Sequence, residues 1–439
     1  MLTWKLSCPH CGGPNKVAAA RHCLACEFCG AGLWVQLPLG YPTLVAAARV
    51  KRREAVFAWD RHLKTHDQPL SQSQRRVILA YLPFWRVSGL VAMREEIRYV
   101  LPVHEVDTGD GFGSADTHGP GYREERRPGE WSVRPREITI PAFPDSGGGL
   151  DSLGVRVETV PLGGWHEAKA PEDAWRVAPT VGRDEALRRF DAATCATMEF
   201  EKGRESPEHF LITPQLALVY WPVWQLGDDR DDTARGVEID AVNGRIIRET
   251  DGIAQPSDCP AGVEGEIPEL LPHRCPECGC DLPVDPRQVV FLCGNCRALT
   301  AHTSCGARTT VRAECAEGHE LTKDTWYPFW CFEGASQVLV PAFAIRNYRH
   351  LVRFGATMSG QDRCFVTPLE RPRTSVGVAL PPDVAAGLAE VICRRREFPF
   401  VTDDNAPPRL VYSPLQMTGP ELVDPGTGLC FRRAALAPA

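Results

Sequence analysis

Two groups of four cysteines with matching spacing are the residues of this sequence best suited to chemistry. In each group two C-x-x-C pairs are fourteen residues apart, in the stretches CPHCGGPNKVAAARHCLACEFC and CPECGCDLPVDPRQVVFLCGNC. Zinc prefers four soft or borderline ligands in a tetrahedron, and a C-x-x-C turn directs two sulfurs at one ion. We therefore predict two zinc ribbons, with the ligand sets Cys8, Cys11, Cys26 and Cys29, and Cys275, Cys278, Cys293 and Cys296.

Four thiolates complete the coordination of zinc, so both sites are expected to be structural and not catalytic. A ribbon of roughly 30 residues has a small core, and the metal then supplies much of its folding free energy. Redox chemistry and scattered structural cysteines are the alternatives, and the matched pairs favour metal over both. Cys23 is spaced to take the place of Cys26, which leaves the ligand choice open there.

A further stretch, HTSCGARTTVRAECAEGH, offers a weaker candidate for a third metal site. Its order H-x-x-C…C-x-x-x-H is unusual, so an ordinary buried or surface role is favoured over metal binding. The four possible ligands are His302, Cys305, Cys315 and His319.

An aromatic–proline signature recurs between and after the cysteines. It reads AYLPFWRV, VYWPVWQL, WYPFWCF and, in a degenerate copy, VYSPLQM, beginning at residues 80, 219, 326 and 411. Side chains alternate along a strand, so Tyr81, Pro83 and Trp85 are predicted to share one face. Proline cannot donate to a ladder, which predicts that such strands lie at sheet edges or begin at the proline.

The stretches that follow two of the copies also match. GVEIDAVNGRIIRET contains two alternating runs joined by Asn243-Gly244, a strong hairpin signal, and PELVDPGTGLCFRRA has the same layout. Aromatic side chains on one strand face form either a binding groove or a core, and repetition favours the core because a repeated fold repeats its core.

These patterns predict a β-rich α+β protein built as a tandem duplication, each half a four-cysteine zinc ribbon followed by two small β-rich modules. The predicted first half comprises a ribbon (1–40), a module with a basic helix and a glycine-rich insertion (41–165) and a second module (171–250). A linker (251–270) leads to the second half. Its parts are a ribbon (271–300), a connector or third metal cluster (301–322), a third module (323–400) and a fourth (401–439).

Composition indicates a soluble globular chain: 43% of its 439 residues are hydrophobic, 24% are charged, and no apolar run approaches a membrane span. No leader is evident, and eighteen cysteines grouped in C-x-x-C pairs favour metal in a reducing cytoplasm. The net charge is −7, but residues 1–100 hold fourteen Lys/Arg against six Asp/Glu.

Part of that basic character lies in PTLVAAARVKRREAVFAWDRHL, where apolar residues recur at helical spacing from Pro42. The pattern predicts an amphipathic helix, more often packed on its own domain than bound to nucleic acid or membrane. Its candidate contact residues are Arg49, Lys51, Arg52 and Arg53.

The whole combination resembles a loosely defined group of bacterial zinc-ribbon proteins, many of unknown function, in which a four-cysteine ribbon precedes Tyr-x-Pro-x-Trp strands and a hairpin. Some are labelled after the zinc-binding region of the replication-restart helicase. No helicase motif follows either ribbon here, so that label implies no ATPase.

These features favour a cytoplasmic, non-enzymatic adaptor or assembly subunit that binds protein partners, with two structural zinc ions, or three if the weaker cluster also binds metal. A nucleic-acid-binding protein that uses the basic N-terminal region is the first alternative. An enzyme is the second, although no H-E-x-x-H, G-x-S-x-G or P-loop motif is present. A membrane surface is not an expected partner, and no small-molecule substrate is indicated.

Overall fold

The fold is described from a computed structural model of the chain. The described residues are 3–18, 21–38, 40–66, 75–103, 121–143, 160–165, 168–171, 173–202, 208–228, 236–250, 267–317, 325–333, 336–361, 363–366, 375–397, 399, 409–432 and 436. Most of the predicted glycine-rich insertion and linker, and His319, lie outside them.

Residues 3–250 contain twelve of the described strands and two of the described helices. They are β1 (Thr3–Ser7), β2 (Pro14–Ala18), β3 (Cys23–Ala25), β4 (Gly32–Gln36), β5 (Thr43–Ala46), α1 (Arg52–Thr65), β6 (Arg75–Val103), β7 (Gly121–Pro141), β8 (Pro161–Gly163), β9 (Trp175–Arg176), α2 (Arg183–Lys202), β10 (Glu208–Asp228), β11 (Gly236–Asp240) and β12 (Ile246–Thr250).

The rest of the described chain adds eleven strands and two helices. They are β13 (Glu269–Pro272), β14 (Val290–Leu292), β15 (Leu299–His302), β16 (Arg308–Val311), β17 (Ala313–Ala316), β18 (Thr325–Phe332), β19 (Val338–Pro341), α3 (Tyr348–Met358), β20 (Phe365–Val366), α4 (Pro382–Arg396), β21 (Arg409–Thr418), β22 (Glu421–Val423) and β23 (Cys430–Arg432). The described part of the chain is β-rich with four helices, and none of these helices has the length and apolar character to cross a bilayer.

The described strands form two large and two small sheets. A ten-stranded sheet runs β12-β11-β10-β5-β8-β1-β2, with β6 paired to β10, β7 and β9. A seven-stranded sheet runs β19-β18-β21-β17-β20, with β22 and β23 continuing from β21. The small sheets are β13-β4-β3 and β14-β15-β16, and both belong to the cysteine-rich regions.

Each large sheet is centred on two antiparallel strands that carry the aromatic–proline signature. In the first sheet Tyr81 faces Pro222 and Pro83 faces Tyr220. In the second sheet the corresponding pairs are Trp326 with Pro414 and Pro328 with Tyr412. The flanking pairs match as well, since Trp85 faces Ile140 and Trp330 faces Val340.

The prediction that these strands lie at sheet edges or begin at the proline is wrong, because β6, β10, β18 and β21 each pair on both sides and begin three or more residues before the proline. Pro83 shows how this is possible. Strand β9 pairs with β6 at Ala80 and Tyr81, and the pairing of β7 with β6 begins at Phe84. The Pro83 carbonyl accepts from the Ala142 N–H at 2.9 Å, so the missing N–H of this proline faces the gap between β9 and β7.

The other three prolines occupy equivalent gaps. Pro222 lies between the end of the parallel β5 pairing at Tyr220 and the start of the β11 pairing at Val223. Pro328 and Pro414 have the same position between the partners of β18 and β21. The rule that proline avoids ladders therefore holds locally, at a point where one partner strand is replaced by another.

The two faces of β6 and β10 pack into different cores, as the alternation predicts. Tyr81 and Trp85 pack with Phe190 of α2, whereas Leu82 and Phe84 pack with Leu33 and other apolar residues of the first cysteine-rich region. Most large aromatic side chains of the signatures are buried: Trp85 is 2% exposed, Tyr220 1% and Trp330 0%, whereas Trp224 and Tyr412 are half-buried. These aromatics therefore contribute mainly to the core.

The predicted helix from Pro42 is only partly correct. Thr43–Ala46 form β5, a fully buried strand whose parallel pairing to β10 is extended by the Leu218 N–H, which donates to the Pro42 carbonyl at 2.9 Å. The helix begins at Arg52 and buries Ala55, Trp59 and Leu63. A short apolar run has no periodicity to separate a buried strand from a helix, which explains the error.

Both predicted hairpins are confirmed. In the first, Asp240 accepts from the N–H groups of Val242 and Asn243, and Gly244 has the positive φ of 78° that the turn requires. In the second, Asp424 accepts from the Gly426 N–H and the Thr427 hydroxyl, with Gly428 at a φ of 71°.

The two large sheets are joined by a shared core. Ile212 of β10 packs against α4 so closely that a Cβ at Gly387 would lie 2.4 Å from its Cγ2 atom. Around this contact, Glu130 of β7 accepts from Arg353 of α3 at 2.7 Å and Arg395 of α4 at 3.1 Å. The first sheet therefore covers the helices of the second half.

The indole N–H groups of Trp85 and Trp330 each donate to a carbonyl just before a helix, Val181 at 2.6 Å and Leu380 at 2.8 Å. Replacing either tryptophan by Phe removes the donor, and the unsatisfied carbonyl costs about 1–3 kcal/mol. We expect both variants to lower the midpoint of thermal unfolding. The control is Trp221→Phe, since Trp221 is equally buried but its indole N–H has no hydrogen-bond partner among the described residues. An equal loss in that control would contradict the assignment.

Candidate metal centres

The first cysteine group converges as predicted. Cys8 Sγ lies 3.8 Å from Cys29 Sγ, and Cys11 Sγ lies 3.8 Å from Cys26 Sγ. The ligand atoms of all four lie within 4.8 Å of one another. Sulfurs held by bonds of about 2.3 Å in a tetrahedron are about 3.8 Å apart, so this group fits a four-thiolate metal site.

The second group has the same arrangement with slightly shorter spacing. Cys275 Sγ lies 3.6 Å from Cys296 Sγ, and Cys278 Sγ lies 3.4 Å from Cys293 Sγ. These four atoms also lie within 4.8 Å of one another. Both groups can hold a metal ion, and in each two cysteines are buried and two exposed.

Each C-x-x-C pair forms a tight turn closed by the residue after it. The N–H of Gly12 donates to the Cys8 carbonyl and that of Gly279 to the Cys275 carbonyl, both at 2.9 Å. Gly12 and Gly279 have φ values of 71° and 75°, a region that glycine enters without strain. Arg297 holds the equivalent position in the last turn with a φ of 65°.

The structure distinguishes the ligand cysteines from their neighbours. Cys26 belongs to the first group, whereas the buried Cys23 directs its thiol to the Asp285 carbonyl at 3.4 Å. Burial, the largest influence, raises the pKa of the Cys23 thiol to about 11, which disfavours the thiolate a metal needs.

Within each group the thiols differ in acidity. The Cys280 N–H, the largest influence, lowers the pKa of the Cys278 thiol to about 6. The Ala298 N–H also acts to lower the pKa of Cys296, but burial and the neighbouring thiols outweigh it and raise the value to about 12. Four thiolates so close together repel one another, so a cation is required for all four to ionise.

The two cysteine-rich regions pack against each other. Strand β13, just before Cys275, pairs with β4 of the first region, and Trp34, Leu282 and Phe291 share a core with buried cysteines of both regions. At Gly306 the backbones of the two regions approach so closely that a Cβ atom on Gly306 would lie 2.6 Å from the Val35 carbonyl oxygen. Neither region is an isolated ribbon.

Two histidines are buried in this contact. His273 is 1% exposed and His302 is 0% exposed, and neither ring has a hydrogen-bond partner among the described residues. Their ring centroids are 5.3 Å apart, and His302 also contacts Trp34 at 5.7 Å. Burial is the main cause of the lowered pKa values, about 4 for His273 and about 3 for His302.

The predicted third metal cluster gains no support from this placement. Cys305 is exposed, with its Sγ 3.1 Å from the Thr303 hydroxyl, and Cys315 is buried on β17 opposite Tyr412. His302, Cys305 and Cys315 do not form a group whose ligand atoms all lie within 4.8 Å of one another. His319 lies outside the described residues.

The basic residues predicted as contacts lie at the start of α1. Arg49, Lys51, Arg52 and Arg53 are all exposed. A group that the sequence did not indicate is formed by Asp191, Cys195 and His209, whose ligand atoms lie within 4.8 Å of one another. Only the spacing of Asp191 and Cys195, four residues apart on a helix, was visible in the sequence.

No protein-family model matches this chain, and neither the curated proteins nor the solved structures give a significant match. The resemblance drawn from the motifs therefore remains an expectation.

Replacing Cys26 by Ser is expected to remove one equivalent of bound metal per chain relative to wild type, because three thiolates remain in that group. Cys23→Ser should keep the wild-type metal content, since Cys23 is not among the converging sulfurs. Elemental analysis of desalted protein measures both. Equal metal loss in the two variants would show that the ligand assignment is wrong.

His302 predicts a pH-dependent stability. Its folded pKa of about 3 lies below its ordinary value of 6.5, so between these values the unfolded chain binds more protons and stability falls as pH drops. Replacing His302 by Phe removes this contribution to the pH dependence. Between pH 7.5 and 5 the free energy of unfolding of wild type should therefore fall by up to about 2 kcal/mol more than that of the variant. Denaturant unfolding at each pH, with metal in excess, measures the difference. Parallel profiles would refute the assignment.

Proposed function

We propose that the protein is a zinc-dependent, non-enzymatic adaptor or assembly subunit of the cytoplasm that binds protein partners. It would hold two structural zinc ions on a scaffold that arose by tandem duplication. The observation that carries the proposal is that both four-cysteine groups are closed ligand sets while the tips of their turns are exposed.

Zinc is the metal that best suits the cysteine groups. Four thiolates near tetrahedral spacing are the donor set of structural zinc sites, and no ligand position is left for a substrate. The metal role is therefore to hold two turns together beneath an exposed tip.

Tandem duplication is supported by the matched registers of the two large sheets. Tyr81 opposite Pro222 corresponds to Trp326 opposite Pro414. The tryptophan-to-carbonyl bonds before α2 and α4 and the aspartate-capped turns before β12 and β23 correspond as well. Unrelated sheets have no reason to share pairing register, proline gaps and caps together.

The first cysteine-rich region presents the better surface for a protein partner. Phe28, between Cys26 and Cys29, is 61% exposed at the tip of a metal-held turn. Aromatic side chains supply much of the binding energy at protein interfaces, and a metal-fixed turn loses little conformational entropy on binding. The corresponding position of the second region is Asn295, so the two tips differ in chemistry.

Nucleic-acid binding is a second candidate, favoured by the four exposed basic residues at the start of α1. Such binding would rest on phosphate contacts and weaken steeply with salt. The overall charge of −7 favours protein partners over this alternative.

Partner binding should depend on both zinc and Phe28. Immobilised wild-type protein is expected to retain a defined set of proteins from the native cell extract after nuclease treatment, and Phe28→Ala or zinc removal should abolish that set. The matched control is Phe57→Ala, because Phe57 is 62% exposed on α1, outside the cysteine-rich regions. Quantitative mass spectrometry compares the four samples. If Phe28→Ala and zinc-free protein retain the same proteins as wild type, the adaptor proposal is wrong. If the retained proteins are lost only when the extract is treated with nuclease, nucleic-acid binding is favoured.

A further inference from the structure

We propose that Asp191, Cys195 and His209 form a third metal site, distinct from the two cysteine groups and open to solvent. His209 Nε2 lies 2.8 Å from Asp191 Oδ1 and 3.3 Å from Cys195 Sγ. Carboxylate, thiolate and imidazole are all ligands of zinc, and zinc is the ion assigned to this site.

Rigid elements position the three side chains. Helix α2 buries Ala186, Phe190 and Thr194 on one stripe, which fixes its rotation on the first sheet. Asp191 and Cys195 are each one residue beyond that stripe and four residues apart, so they share the neighbouring face. His209 lies on β10 with its backbone opposite Met93 of β6, so the sheet holds its position.

The geometry favours a metal over a catalytic triad. In a Cys–His–Asp triad the carboxylate binds one ring nitrogen and the thiol binds the other. Here both groups approach Nε2, and Cys195 Sγ is 3.8 Å from Nδ1. Three donor atoms of different types therefore lie within 4.8 Å of one another, a spacing that the ligands of one metal ion can adopt.

Metal entry needs only a small adjustment. Zinc bonds of about 2.0–2.3 Å place tetrahedral ligand atoms about 3.3–3.6 Å apart, so the nitrogen–oxygen separation must widen by about 0.5 Å. The Asp191 side chain is 53% exposed and has space to rotate outward, while His209 is 17% exposed and stays fixed.

The equivalent positions of the second half show that the shared architecture does not require this group. Counted from the carbonyls that accept the tryptophan N–H bonds, Asp191 and Cys195 correspond to Glu390 and Arg394 of α4. Those two residues form an i,i+4 ion pair at 2.6 Å, and Arg394 also pairs with Glu208 of β10 at 2.7 Å. Only the first half replaces that pair with two metal-binding side chains and adds a histidine beside them.

Three protein ligands leave at least one coordination position for water or an external group. The two cysteine groups are closed in this respect, so the proposed site has a different character: an exchangeable ion that remains accessible to a ligand from solution. Its occupancy does not depend on the proposed adaptor function.

The test is zinc content together with the reactivity of Cys195. Wild type, saturated with zinc and desalted, is expected to bind three zinc ions per chain, and Asp191→Ala and His209→Gln are expected to bind two. Loss of an outer-shell partner already weakens metal affinity by about 10- to 100-fold, and loss of a direct ligand should weaken it at least as much. Asp184→Ala, an exposed aspartate of the same helix, is the matched control and should bind three.

Alkylation reports on the site without relying on the total count. Trypsin releases residues 190–202 as FDAATCATMEFEK, which contains Cys195 as its single cysteine. Zinc should protect this thiol in wild type and in the Asp184 control, but not in His209→Gln. Unchanged thermal midpoints show that the variants remain folded. Equal zinc content in wild type and His209→Gln, or alkylation of Cys195 at the same rate with and without zinc, would overturn the site and leave a hydrogen-bonded group alone.

Discussion

The structure depends on how four prolines are accommodated within central strands. Each large sheet is built on two antiparallel strands that face one another across an aromatic–proline register, and each proline lies where the partner on its other side changes. A strand that must change partners at one residue can use proline there without leaving a carbonyl or amide unsatisfied. The gap also sets where neighbouring elements begin: the chain after β7 returns to Pro83, and the tryptophan two residues on reaches the carbonyl before α2.

The cysteine-rich regions are stable for a different reason. Each is too small to bury much apolar surface alone, so packing against the other region contributes to its stability, and a metal ion held by the four cysteines would add to it. Trp34 and Phe291 fill the space between the regions, and two neutral histidines are buried without hydrogen-bond partners among the described residues. Metal loss from one group would loosen the turns that hold these side chains, and so the regions are expected to respond as one unit.

The features that the sequence predicted well are those set by local chemistry. Eight ligand cysteines could be selected because C-x-x-C spacing is a local geometric requirement, and both hairpins could be placed because Asn243-Gly244 and its counterpart favour one backbone conformation. The placement of the aromatic–proline strands at sheet edges was wrong. Proline removes a hydrogen bond on one side of its strand only, and the sequence does not show which strand lies on that side. The prediction of a helix from Pro42 was wrong at its start because a four-residue apolar strand is too short to show the alternation of side chains. His302 was grouped with distant cysteines by spacing alone, whereas its burial between the two regions is a tertiary property.

The proposed duplication suggests where function is to be sought. Residues that recur in both halves, such as Trp85 and Trp330, are explained by the need to build the same core twice. Function specific to the protein must then lie in what the halves do not share. Phe28 corresponds to Asn295, and the Asp191–Cys195 pair corresponds to an ordinary ion pair on α4. Both differences lie in the first half, one on a turn of the first cysteine group and one between a helix and a sheet. The second half, whose helices are covered by the first sheet, carries neither of these two features at the corresponding positions.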